Sequence, residues 1–214
     1  MDIDDTLINT NRRRWAAWRL VLNREIEFQV VRSSSSEKIL KDFASGNKEQ
    51  WKEFWKILLC WDKRGIEILH LDEAIPFAAE VMQRWAKKFK LVYLTGRTSN
   101  MYELTLKELA KFGFPAVDVD LVMSLDLENY LASPEGTRRS LVISIVDKLS
   151  VIVAVDDNPL YMTLYRQFGI PQRIGVLRSE RFSSNSYRDA TRIIESWKEL
   201  LTDDPLFNNY LSSY

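Results

Sequence analysis

The chain has 214 residues, 30 Lys and Arg against 30 Asp and Glu, and 46% apolar side chains, enough to bury a core and too apolar for a disordered segment. Zero net charge supplies no excess of Lys and Arg for phosphate backbones or acidic lipid, so no nucleic-acid or membrane partner is expected. A lone cysteine, Cys60, and a lone histidine, His70, exclude a disulfide framework and Cys- or His-based zinc sites, and the seven glycines fit neither common nucleotide-binding fingerprint.

The chain opens with Asp2-Ile3-Asp4-Asp5-Thr6-Leu7, acidic where a secretory signal would be basic and then apolar, and no run approaches the roughly 20 residues that span a bilayer. A cytoplasmic chain is expected. Residues 11–72 then read as an all-helical insertion. Ser36 caps one helix, and Asn47 with Gln50 forms a capping pair for another that shows Trp51, Phe54, Trp55, Leu58 and Leu59 on one face. That stripe reads as core packing, with a substrate-lining surface as the alternative. Arg12-Arg13-Arg14 opens the insertion and reads either as a solvated helix start or as an electropositive rim that draws phosphorylated substrates inward.

Beyond it, Pro76 starts a helix through Val81, Trp85 and Phe89. Leu91–Leu94 is a strand that stops at Thr95-Gly96-Arg97, followed by a helix from about Asn100 to Gly113. A weaker strand covers 116–123 and a helix covers Ser140 to Lys148. The run Val151–Val155 is a second clear strand, ending at Asp156-Asp157-Asn158-Pro159. A helix over 160–168, a weaker strand over 172–177, a serine-rich loop over 179–185, a helix from Tyr187 to Leu201 and a polar tail complete the chain. Apolar β-branched runs of this length are strands buried on both faces. Alternating with helices, they predict a doubly wound, Rossmann-like, mostly parallel α/β sheet built from residues 1–10 and 73–214.

Asp2 and Asp4 are two residues apart, so on an extended backbone they project to one side. Such a pair suits a division of labour in which one carboxylate attacks phosphorus and the other handles the proton of the leaving oxygen. Ligands of doubly wound sheets sit beyond the carboxyl ends of the strands, where Asp2, Thr95 and Asp156 all fall in this reading. Taken in order, Asp-x-Asp-x-Thr, strand plus Thr-Gly-Arg, and strand plus Asp-Asp-Asn-Pro resemble the haloacid dehalogenase superfamily of phosphohydrolases, over residues 1 to 177 and with an insertion where that family places a helical cap.

The resemblance implies Asp2 as nucleophile, forming an aspartyl-phosphate, and Asp4 as general acid/base. It implies Thr95, with backbone N–H groups around Gly96, as a phosphoryl contact. It implies Mg²⁺ held by Asp2, the Asp4 carbonyl and Asp156, with Asp157 as a further acid of the metal loop. Mg²⁺ commonly takes only one or two carboxylates, so few acids suffice. Arg97 reads as a phosphate contact or as an ion pair. The family's lysine ahead of the last motif is missing; Gly136-Thr137-Arg138-Arg139 stands there, and Arg138 is the better placed candidate, Arg139 next. Family members also carry apolar residues before the first Asp, whereas only Met1 precedes it here, which predicts a shortened first strand or a start further upstream. The expected activity is Mg²⁺-dependent hydrolysis of a small phosphorylated metabolite beneath a mobile cap. A phosphomutase, a dehalogenase and a non-catalytic phosphate-sensing module are the rival readings.

Overall fold

The computed structural model describes residues 1–178, 180–204 and 206. After the first acidic residues the chain forms a two-residue strand, β1 (Ile8–Asn9), and enters a run of helices: α1 (Asn11–Leu22), α2 (Phe28–Ser33), α3 (Ser36–Ala44), α4 (Lys48–Leu58) and α5 (Lys63–Ile68). It returns through β2 (Glu73–Ala74), antiparallel to β1, so the entry and exit of the helical segment are paired to each other. These helices close around their own apolar cluster, in which Trp18 of α1 stacks on Phe54 of α4 at 4.1 Å. The α3 cap is Ser35, whose hydroxyl accepts from Lys38 N at 3.2 Å, with Ser36 already helical. Asn47 caps α4 as expected, accepting from Glu49 N at 2.9 Å, but Gln50 does not reciprocate. Its amide reaches back to Val21 O at 3.5 Å and ties α4 to α1 instead.

The rest of the chain alternates helix and strand: α6 (Ala78–Ala86), β3 (Val92–Thr98), α7 (Tyr102–Lys111), β4 (Asp120–Ser124), α8 (Leu127–Ala132), α9 (Pro134–Val146), β5 (Val153–Asp156), α10 (Pro159–Gln167), β6 (Gln172–Val176), β7 (Arg192–Ile194) and α11 (Glu199–Thr202). The pairs β3–β4, β5–β6 and β6–β7 are all parallel. The first residues lie between β3 and β5: Met1 N donates to Val92 O at 2.9 Å, Leu94 N to Met1 O at 2.7 Å, and Asp2 N to Val155 O at 3.0 Å. The two parallel groups are thereby joined edge to edge through Met1 and Asp2, which brings Asp2 level with the ends of β3 and β5.

Alternation along the strands puts helices on both faces. Tyr93 and Val155 face α6 and α7 in one cluster, whereas Leu94 and Ala154 face α9 and α10 in another. Each large apolar side chain buried this way contributes about 1.5–3 kcal/mol. The doubly wound α/β architecture is the expected one. Pro76 lies in a turn, because Phe77 adopts a φ of 67° and delays α6 to Ala78. The strand expected to stop before Thr95 continues through Thr98, and α9 begins at Pro134, capped by Ser133, ahead of the expected Ser140.

The helix expected from Tyr187 to Leu201 does not form. The β-branched stretch Arg192–Ile194 instead pairs with β6, and only the short α11 follows, its start fixed by Glu199 accepting from Glu195 N at 2.8 Å and Ser196 N at 3.0 Å. A free sheet edge outcompetes helix propensity for Thr-Arg-Ile-Ile. The expected loop contains Ser179, and the expected polar tail includes 207–214; both lie outside the described residues.

Beneath β6, a Cβ at Gly175 would lie 2.4 Å from the Tyr187 ring. The Tyr187 hydroxyl donates to the carbonyls of Asp157 and Val176. Gly175→Ala is therefore expected to displace that ring, costing about 1–3 kcal/mol, and to lower Tm by about 5 °C in a thermal melt.

Candidate active site

Three carboxylates converge at the ends of the central strands. Asp2, Asp156 and Asp157 each offer an oxygen, and these oxygens lie within 4.8 Å of one another. Asp2 follows the strand-like first residues, Asp156 closes β5, and Asp157 begins the turn into α10. Thr6 binds the first loop to the last: its hydroxyl donates to Asp2 Oδ2 at 3.1 Å and accepts from Asp157 N at 3.0 Å. Asn158 N donates to Asp156 Oδ1 at 2.9 Å while the Asn158 side chain caps α10, so the Asp-Asn-Pro turn both starts the helix and orients the acid.

Arg138 reaches into this cluster from α9. One guanidinium nitrogen donates to Asp2 Oδ1 and to Leu94 O, both at 2.9 Å, and another to Asp156 Oδ2 and to the Tyr165 hydroxyl. Arg139, one residue on, faces outward to Gln167 at 3.0 Å. Burial pushes the Asp2 carboxyl up to about 7, reinforced by the Asp156 charge and only partly opposed by Arg138. Burial and then Asp5 and Asp156 push Asp157 well up as well. Four clustered acids, Asp2, Asp5, Asp156 and Asp157, share the two guanidinium groups of Arg138 and Arg181 and are short of positive charge, and an all-oxygen donor set is the kind a hard divalent cation takes. These residues can hold a metal ion.

Asp4 stands beside this cluster in a different setting. Arg97, only 1% exposed, grips it through Nε to both carboxylate oxygens, at 3.0 and 3.1 Å, and through Nη2 to Oδ1 at 2.7 Å. Arg13 adds a contact at 3.2 Å and the Thr95 hydroxyl donates at 3.2 Å. Burial alone would raise the Asp4 carboxyl, but the charge and hydrogen bonds of Arg97, with Arg13 and Thr95, outweigh it and hold Asp4 below the ordinary carboxylate range. Behind Arg97 lie Glu108 at 2.6 Å, Thr105 at 3.3 Å and Asp72 at 3.6 Å. Of the two readings of Arg97, the structure has the ion pair. Gly96 passes close under Tyr130, whose ring would lie 3.1 Å from an added Cβ.

Asp2, Asp4, Asp156, Asp157, Arg97 and Arg138 face one cavity of about 680 Å³, whose other wall is the helical segment. Trp51, Trp55, Leu58 and Leu59 of that segment line it, opposite Tyr130 and Tyr161. Trp55 meets Tyr130 edge to face at 5.1 Å. The aromatic stripe of α4 thus divides, Phe54 turning to the helical core and the two tryptophans half-buried toward the cavity. A second, apolar cavity of about 390 Å³ lies by Met1 and the start of β5, holding none of these acids.

The eight expected site residues, Asp2, Asp4, Thr95, Gly96, Arg97, Arg138, Asp156 and Asp157, all line the larger cavity. Sequence reasoning missed residues that hold them, Tyr165, Tyr187, Asp72, Glu108 and Arg181, and gave no such role to Thr6 or Arg13, which it had met only in a motif and in a charge run. Arg181 reaches Asp5 at 3.1 Å and Asp157 at 3.7 Å. Only Thr6, as the last member of Asp-x-Asp-x-Thr, lay in a motif that could have signalled its place.

No family model matches the chain. A curated relative from Bacillus cereus, named "Putative nucleotidase", is 29% identical over 116 residues, which is 53% of this chain and 58% of that protein, so the match spans little more than half its length. Among solved structures, a haloacid dehalogenase-like hydrolase from Streptococcus pneumoniae superposes with a TM-score of 0.69 at 14% identity, over 94% of each chain. A hydrolase from Pseudomonas syringae gives 0.58 at 17%, also over 94% of each. An archaeal beta-phosphoglucomutase from Pyrococcus gives 0.57 at 17%, over 100% of this chain and 97% of that one. Among the described residues no helix is long and apolar enough to cross a membrane. Superposed over nearly its whole length on such structures, the protein has the fold of the haloacid dehalogenase superfamily.

Proposed function

We propose that the protein is a Mg²⁺-dependent phosphatase of small phosphorylated metabolites, working through an aspartyl-phosphate on Asp2, with residues 11–72 as the cap. The observation that carries this reading is the convergence of Asp2, Asp156 and Asp157 with Arg138 at the floor of a cavity roofed by aromatic side chains. Asp2 and Asp156 carboxylates and the Asp4 carbonyl would hold the cation, with Asp157 alongside. When bound, Mg²⁺ neutralises phosphate charge that three acids would otherwise repel.

Asp2 is a nucleophile when ionised, and Arg138 on Oδ1 with the Thr6 hydroxyl on Oδ2 fixes the direction of its carboxylate. In-line attack on phosphorus forms the Asp2–phosphate bond and releases the alcohol oxygen. Water then cleaves the acyl phosphate, giving its proton to Asp4 and returning Asp2. Asp4, held as a carboxylate by Arg97, is suited to that second step. Protonating an alkoxide in the first step requires Asp4 to take up a proton against the Arg97 charge, so aryl phosphates, whose leaving groups need none, are expected to turn over fastest.

Hydrolysis of p-nitrophenyl phosphate tests the reading. Activity is expected with Mg²⁺, to fall to background in EDTA, and to return on readdition of Mg²⁺. Equal rates above background with metal and with chelator would refute the metal-dependent chemistry, and background rates in both would favour a non-catalytic module.

A further inference from the structure

The three consecutive arginines at the start of α1 have separate fates. Arg12 points outward to Glu73 at 3.7 Å. Arg13 is buried against Asp4 and Asp72, each at 3.2 Å. Arg14 is also buried, at 5% exposure, but no carboxylate comes within ion-pair distance of it among the described residues. Its Nη2 donates to Asn11 Oδ1 at 3.2 Å and to Val31 O, both neutral acceptors, and its Nε has no hydrogen-bond partner among the described residues.

A guanidinium taken out of water without a counter-charge is costly, and proteins normally supply a carboxylate. This one lines the active-site cavity together with Arg181, Ser35, Ser36 and Glu37. Burial, followed by the neighbouring Arg181 charge, lowers the Arg14 pKa to about 10; Asp5, Asp157 and Glu37 are near enough to oppose that shift but do not cancel it. The Arg181 charge is already shared between Asp5 and Asp157. Positive charge thus remains over at Arg14, on the cap side of a cavity whose phosphate chemistry lies on the core side.

We propose that Arg14 is a specificity-determining residue, forming with Arg181 a subsite for a second anionic group, a carboxylate or a phosphate, carried by the alcohol part of the substrate. The assignment rests on the phosphatase reading for the first phosphate, and it names the substrate class as phosphomonoesters with a second negative charge. A phosphate or carboxylate there completes the missing ion pair through charge-assisted hydrogen bonds. It would also draw α1 onto the core, because the same substrate would touch both.

The test compares substrates that differ only in that charge: 3-phosphoglycerate against its methyl ester, and propane-1,3-diol bisphosphate against the monophosphate. The first pair reports a carboxylate and the second a phosphate. For the wild-type protein with Mg²⁺, kcat/KM is expected to favour the charged member of at least one pair by about 10- to 100-fold. In Arg14→Gln that ratio is expected to fall to within about three-fold of unity, whereas Arg19→Gln, a half-buried arginine of the same helix that pairs with Glu25 away from the cavity, keeps it. Binding of the same pairs to Asp2→Asn, followed by thermal shift with Mg²⁺ present, gives the same comparison without turnover. Failure to hydrolyse p-nitrophenyl phosphate would sink the phosphatase reading, and the binding ratio would still decide the subsite. No charge preference in the wild type, or a preference that survives in folded Arg14→Gln, overturns the proposal. Should Arg14→Gln fail to fold, the wild-type ester comparison decides.

Discussion

Asp2→Asn is expected to reduce Mg²⁺-dependent hydrolysis of p-nitrophenyl phosphate by about 10⁴-fold or more, because the amide nitrogen and oxygen cannot replace a carboxylate as nucleophile. The same substitution is expected to stabilise the metal-free protein at neutral pH. Burial and the Asp156 charge raise the folded-state Asp2 pKa from 3.8 to about 7, so the folded protein binds this proton more tightly than the unfolded chain does. Stability of the wild type in EDTA then falls as pH rises through the window from about 4 to about 7, and asparagine, which carries no such proton, escapes the loss. Thermal melts at pH 4, 5.5, 7 and 8 should show the variant gaining on the wild type across that window and holding its lead above it. Adding Mg²⁺ should raise the wild-type Tm more than the variant's, since a cation bound only by the folded state stabilises it. A variant that loses activity and also unfolds at every pH would mean that Asp2 serves the fold alone.

The pieces of the site legible in the sequence are those that sit on the strand ends. An apolar run that stops at Thr-Gly-Arg or Asp-Asp-Asn announces where the backbone leaves the sheet, and sheet topology brings those ends together whatever lies between. Arg138 was legible for the same reason, since α9 leads into β5 and its near end must lie over the strand ends. Its partners were not: Tyr165 lies on the helix after the strand, and no spacing rule ties it to α9. Arg13 and Arg14 show the other kind of failure. Charge-run reasoning treats consecutive arginines as one solvated face, but on a helix neighbours point about 100° apart. Arg12 faces water while Arg13 turns inward to Asp4 and Asp72, and Arg14 turns inward to the neutral acceptors Asn11 Oδ1 and Val31 O. The Tyr187–Leu201 stretch failed because its helix-forming pattern was local, whereas the β6 edge that captured Arg192–Ile194 is a property of the assembled sheet.

Arg97→Met is expected to be the most damaging substitution outside the acidic cluster. Arg97 and Arg13 are the two guanidinium groups among three carboxylates, Asp4, Asp72 and Glu108, all held away from solvent to different degrees. Removing Arg97 leaves Glu108 without its 2.6 Å partner and Asp4 with only the 3.2 Å contacts to Arg13 and Thr95. Breaking a buried pair from one side costs about 3–5 kcal/mol, because the stranded charge stays buried. For a chain of this size that is a Tm loss of about 10 °C. The catalytic consequence has a sign of its own. Arg97 is the principal influence holding Asp4 below the ordinary carboxylate range against its burial, so the Asp4 pKa must rise when Arg97 goes. With saturating Mg²⁺ to keep Asp2 ionised, the acidic limb of the pH–rate profile, where Asp4 must be ionised to receive the proton of water, should therefore move to higher pH in Arg97→Met. For alkyl phosphates, whose leaving oxygen needs a proton, turnover relative to p-nitrophenyl phosphate should improve. Glu108→Gln removes one acid but keeps Arg97 on Asp4, so it should leave the acidic limb in place. A limb that moves in Glu108→Gln as far as in Arg97→Met would show that general loosening, not the Arg97–Asp4 pair, sets that limb.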